Sequence, residues 1–176
     1  VENYKPTIDI DPSWEMVELG EVCKFEGGTQ PPKSTFIYEE KEEYIRLLQI
    51  RDYKSDKDLV FIPKKERHKV CNEEDIMIGR YGPPVFQILR GKRGAYNVAL
   101  MKCIPDNNLI TNEWLFVFLS SAPIQKRIID LSTRVRQSGV RPSDLNELLI
   151  PIPPLKVQKE REKKLEEERK VIEGNK

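Results

Sequence analysis

Four short stretches carry side chains that could contact a polyanion: Thr29-Gln30-x-x-Lys33, Arg80-Tyr81-Gly82, Arg90-Gly-Lys92-Arg93 and Arg134-x-Arg136-Gln137-x-x-x-Arg141. Lys and Arg neutralise phosphates and fix register, while bidentate groups, Arg toward guanine and Gln or Asn toward adenine, tell bases apart. The stretches supply both kinds of group, on glycine-bearing loops from which a side chain reaches a groove. Each alone is more often a solvated loop. Their background argues further: no acid occurs from Met77 to Lys102, and Asp130 alone opposes Lys126, Arg127, Arg134, Arg136 and Arg141. The acids concentrate at the start instead, from Glu2 to Glu26, so a net charge of +1 conceals segregated positive stretches.

Other chemistries find less support. Adenine-N6 methylation needs an Asn/Asp-Pro-Pro-aromatic motif to hold a flipped base. The Pro-Pro pairs here stand in Gln30-Pro-Pro-Lys33, Gly82-Pro-Pro-Val85 and Ile152-Pro-Pro-Leu155, none of which fits. Neither a Gly-x-Gly-x-x-Gly loop nor a Gly-x-x-x-x-Gly-Lys-Ser/Thr loop occurs, so no cofactor is expected. A metal-dependent nuclease is the competing enzymatic reading. Its Glu39-Glu40-Lys41 triplet sits in a surface charge run and has no upstream carboxylate partner, so no metal site is expected. His68 lies among lysines and Arg67 and reads as exposed. Cys23, Cys71 and Cys103 lack metal-ligand spacing and read as small buried side chains in a reducing cytoplasm.

Charged residues make up 34% of the 176 residues and hydrophobic ones 38%, the balance of a globular domain. No apolar run approaches the roughly 18 residues of a membrane span. Position one is Val with no basic-then-apolar leader, which predicts a fragment or trimmed chain without a secretory signal.

The elements that must hold these loops can be read in order. Residues 1–13 are rich in Asp and Pro and predict an extended arm. From Trp14, a helical turn around Leu19-Gly-Glu-Val-Cys23 leads into a strand closed by Gly27-Gly28. Residues 44–50, 59–62, 76–78, 85–89 and 95–104 are rich in β-branched and aromatic side chains and predict strands. Thr111 can cap a helix over 112–120, and Ser121 with Pro123 opens a second one. An arginine-dense loop over 132–141 and a short helical turn at 142–145 follow. Leu149, Ile150 and Ile152, interrupted by proline, predict an edge strand.

Pro153 and Pro154 then suit the start of a helix rich in Glu, Lys, Arg and Leu. Its apolar stripe is thin. Leu155, Leu165 and Ile172 alternate with Gln158, Glu162 and Arg169 at the remaining seam positions, so the helix is expected to lie antiparallel against a partner helix.

The ordered set Trp14-x-x-Val-x-Leu-Gly-Glu-Val22, Gly27-Gly-Thr29, Tyr44-Ile45, Glu74-Asp-Ile-Met-Ile-Gly-Arg-Tyr-Gly82, Asn97-x-Ala99, Ser138-Gly139, Asp144-Leu145 and Ile150-Pro-Ile-Pro-Pro-Leu-x-x-Gln158 resembles one half of a specificity subunit of Type I restriction-modification enzymes. The resemblance implies an α+β fold: a β-rich target recognition domain over 14–154 with packed helices, then a coiled-coil-type spacer helix over 155–176. It implies a non-catalytic, cytoplasmic protein that reads one part of a split double-stranded DNA target. Implied partners are adenine-N6 methyltransferase and restriction subunits, and a second half or second copy through the helix. An interaction module without DNA readout is the alternative from another class.

Overall fold

The computed structural model describes residues 8–174 apart from 83 and 135–138. Its central strand is β6 (Ile76–Gly79), buried along its whole length. Ile76 and Ile78 face one layer of the core and Met77 the other, the period-two alternation of a strand covered on both sides. Around it runs a four-stranded antiparallel sheet in the order β2 (Cys23–Gly27), β9 (Leu100–Pro105), β6, β7 (Gln87–Leu89).

One face of that sheet is covered by α1 (Leu19–Val22), α2 (Asn112–Ser120), α3 (Ala122–Arg134) and α4 (Pro142–Asn146). Thr111 caps α2 by accepting the Trp114 amide at 3.1 Å, and five of the nine residues of α2 are buried. Over the other face lies a second sheet in the order β4 (Phe61–Pro63), β3 (Tyr44–Leu48), β8 (Gly94–Tyr96), β5 (Val70–Cys71), in which β3 and β8 run parallel. Leu48, Cys71, Tyr96, Met77 and Leu100 fill the space between the sheets.

The predicted strand over 95–104 is two strands. A turn at 97–99, closed by the Leu100 amide on the Asn97 carbonyl at 3.0 Å, sends β8 into one sheet and β9 into the other. The edge strand β10 (Leu149–Ile152) pairs antiparallel with β1 (Glu15–Glu18), a strand not expected from sequence. Pro151 sits opposite Met16 in this two-stranded ribbon, where a missing amide is tolerated. Of the expected arm over 1–13, the described residues 8–13 form neither helix nor strand. Ile8 is half-buried against the core and Asp11 holds the Ser13 amide at 2.8 Å, while residues 1–7 lie outside the described residues.

The last helix, α5 (Leu155–Gly174), leaves directly after β10. All three cysteines are free and buried. Burial raises the Cys71 thiol pKa, and raises that of Cys103 further beside Cys23. Both thiols are held in the unreactive protonated form. His68 departs from expectation. It is only 9% exposed, and burial, with Arg67 nearby, lowers its pKa.

Candidate nucleic-acid interface

The carboxyl ends of β2, β3, β6 and β8 meet around the 97–99 turn. Gly27 lies opposite Met101 and Gly79 opposite Leu100, while the Asn97 amide donates to the Leu48 carbonyl at 3.1 Å. The chain beyond β2 is laced to the same place: the Gly28 amide donates to Leu100 and the Thr29 amide to Tyr96, both at 3.1 Å. A methyl group on Gly28 would overlap the Asn97 carbonyl, so close backbone approach requires glycine there.

Arg80 follows β6 into this cluster. Its Nε donates to the Val140 carbonyl at 3.0 Å and its Nη1 to the Val98 carbonyl at 3.2 Å, while the Val140 amide returns to the Arg80 carbonyl at 3.0 Å. Three loops are thereby tied together: 80–82, 97–99 and 139–141. Carbonyls satisfy two of the five guanidinium donors but cancel none of its charge. The guanidinium also lies 5.5 Å from the centre of the exposed Tyr81 ring. Gly139 approaches that ring so closely that a Cβ there would stand 2.6 Å from its edge. Phe86, fully buried in the connection between β6 and β7, donates its amide to the Gly79 carbonyl at 2.9 Å from a left-handed conformation, φ of 61°, that costs about 1–2 kcal/mol.

The structure thus brings Thr29, Arg80, Tyr81 and Arg141 to one end of the molecule. Gln30, Lys33 and Arg141 are exposed, the first two on the loop that leaves the cluster through buried Pro31. Arg136 and Gln137 lie outside the described residues, as does the side chain of Arg134.

The third stretch lies elsewhere. Arg90 ends β7 level with the start of β6, about 13 Å along the strand from Arg80. Its guanidinium pairs with Glu113 and stacks 3.8 Å from the centre of the Phe116 ring. Lys92 binds both oxygens of Asp56, at 2.8 and 2.9 Å, and Asp56 also takes Arg46 at 2.6 Å. These cations weld elements of the body together. Arg93 stays exposed beside them.

Two expectations for the helix are corrected by packing. Gln158, placed by sequence on a seam facing another helix, is fully buried in its own body. It donates to the carbonyls of Leu109 and Pro153 at 2.9 Å and accepts the Thr111 amide at 2.8 Å. Glu162 accepts a hydrogen bond from the Thr111 hydroxyl. Leu155 and Leu165 are half-buried, Ile172 is 45% exposed with Val171 beside it at 62%, and the Arg169 side chain lies outside the described residues. Sequence reading noticed the Pro-Pro-Leu-x-x-Gln spacing but could not see that its glutamine points inward. It missed the 97–99 turn for want of a glycine or proline to mark it.

Among the described residues, no group of three or more His, Cys, Asp and Glu is placed to hold a metal. Glu39, Glu40 and Lys41 are all exposed. No described helix is long and apolar enough to cross a membrane.

The relatives agree with this architecture. The specificity subunit of the Type I restriction enzyme MjaVIII of Methanocaldococcus jannaschii is 25% identical over 164 residues, which cover 90% of this chain and 37% of that one. A solved chain from work on complex assembly and conformational transition of the type I R-M system has the same fold, with a TM-score of 0.69 at 22% identity. It covers 96% of this chain and 41% of its own length. The HsdS subunit of Thermoanaerobacter tengcongensis gives a TM-score of 0.66 at 22% identity, with 96% and 40% covered. The chain therefore spans less than half the length of these relatives. The family model of the Type I restriction modification DNA specificity domain matches residues 12–173, and the chain belongs to that family.

Proposed function

We propose that this chain is a non-catalytic DNA-reading half. In this reading the body binds double-stranded DNA sequence-specifically through the end that carries Arg80 and reads one part of a two-part target. The observation that carries the reading is the convergence of three basic, glycine-bearing loops on the 97–99 turn, where Arg80, among the described residues, is hydrogen-bonded to carbonyls and meets no carboxylate. Gln30, Lys33 and Arg141 supply further donors within or beside it, and Arg134, at the end of α3, with Arg136 and Gln137 are proposed as further DNA contacts.

Family membership supports the remainder of the reading. α5 is the spacer, pairing as a coiled coil with the helix of a second half or a second copy through Leu165, Ile172 and Arg169. Adenine-N6 methyltransferase and restriction subunits dock on the complex and perform the chemistry, in the cytoplasm, with no metal or cofactor held by this chain. Exposed Val171 and Ile172 support a partner for the distal helix.

A titration of the chain with duplex DNA at about 50 and about 200 mM salt tests the reading. A DNA reader weakens steeply across that interval. A scaffold without DNA readout shows no binding at either salt, and that result overturns the proposal.

A further inference from the structure

We infer that Gln158 is a positioning residue that fixes the angle at which α5 leaves the body, and through it the spacing at which two recognition bodies meet a split target; the second clause rests on the function proposed above. A buried amide is an expensive way to fill space, because every polar atom left unpaired there costs stability. An apolar side chain would fill the same volume without that demand. Gln158 instead meets it fully, with both amide hydrogens on the Leu109 and Pro153 carbonyls and its oxygen on the Thr111 amide. Directional bonds to Leu109 and Thr111 in the loop before α2, with a third to Pro153 at the helix's own entry, fix tilt and rotation together, which apolar contact alone does not.

The same helix face carries two further ties. Arg161 lies 5.2 Å from the centre of the Trp14 ring, which meets Trp114 edge-on at 5.7 Å. Glu162 accepts from Thr111, the residue that caps α2. Positions 158, 161 and 162 stand at i, i+3 and i+4, so one stripe of a single helical turn bears on the body. Beyond it, residues 163–168 are exposed except for half-buried Leu165.

Leverage explains why so firm a joint is needed. A helix of 20 residues is about 30 Å long, so a tilt of about 10° at its base moves its tip about 5 Å. That exceeds the roughly 3.4 Å rise of one base pair. A loose joint would blur the spacing by more than one step of the target.

Two readouts test the inference. In the chain itself, spin labels at Lys57→Cys on the body and Glu168→Cys on the helix report the body-to-helix distance. In the assembled complex, with its second recognition body and methyltransferase subunits, a library of two-part targets with varied spacers reports spacing preference. Gln158→Leu should at least double the width of the distance distribution. It should also flatten the preference for the best spacer over its neighbours by about tenfold, leaving the base preference of each part unchanged. A folded Gln158→Leu variant with an unchanged distribution or an unchanged spacer preference overturns the inference. Should that variant not fold, Gln158→Met, which is close in volume and removes the same three bonds, is read against the same two outcomes. A wild-type complex without any two-part preference would overturn the proposed function instead, and the label distances would still decide whether Gln158 sets the angle.

Discussion

Both ends of the hairpin formed by β6 and β7 carry basic residues, but carboxylates pair those at one end and backbone carbonyls hold Arg80 at the other. At one end Arg90 and Lys92 are met by Glu113 and Asp56, so their charges are spent within the body. At the other, Arg80 is held by the Val140 and Val98 carbonyls, which orient a guanidinium without neutralising it, and Arg141 stays exposed beside it. A count of basic residues would favour the Arg90 stretch, which holds three against the one of residues 80–82. What distinguishes a ligand-binding cation from a structural one is the chemistry of its nearest acceptor: a carboxylate removes the field that a phosphate would feel, and a carbonyl leaves it.

The largest expected effect breaks the Arg80 end through its backbone. Gly28→Ala drives a methyl group into the Asn97 carbonyl, and chemical denaturation should record a loss of about 1–3 kcal/mol, with DNA affinity falling as the turn is displaced. Arg90→Met sharpens the contrast from the other side. Losing the Glu113 pair and the stacking on Phe116 should cost about 1–2 kcal/mol of stability in the same assay, yet leave the salt dependence of DNA binding unchanged.

A smaller effect concerns Glu26, between the two ends. Burial pushes its carboxyl pKa up, but the Tyr96 hydroxyl at 2.8 Å, Lys69 at 3.1 Å and more distant Lys102 outweigh that and leave it below the ordinary carboxylate range. A depressed folded-state pKa contributes stability that is present above the unfolded value, near 4.5, and lost as pH falls through the folded value. Glu26→Gln should therefore be less stable than wild type at pH 6, with the difference shrinking in denaturant titrations as pH falls below the unfolded value.

Local signals were legible in the sequence, and pairing across distance was not. The bounds of α2 could be read because Thr111 caps it and an unbroken apolar run fills it. The run from Ala95 to Ile104 looked like one strand, since Asn97 breaks it by hydrogen bonding its own backbone, the Ala99 amide on its Oδ1 at 3.1 Å, rather than by any glycine or proline. The two-residue strand β5 is too short to show periodicity, and the parallel pairing of β3 with β8 joins residues far apart in the chain. The site divided in the same way. Its loops were picked out by residue type. Which of their cations are neutralised depends on Glu113, 23 positions beyond Arg90, and Asp56, 36 positions before Lys92. Gln158 belongs with these, because a polar residue on a thin helical seam reads as facing a partner helix until its backbone partners in its own body are seen.

The slope of log affinity against log salt, measured for the chain on duplex DNA of arbitrary sequence, tests the central claim most directly. The double variant Arg80→Met with Arg141→Ala is set against the double variant Arg90→Met with Lys92→Met. Each phosphate-contacting cation lost lowers the slope by about 0.9 unit, so the first pair should reduce it by about two units and the second should match wild type. Equal losses from both pairs, or a loss from the Arg90 and Lys92 pair alone, would contradict the account.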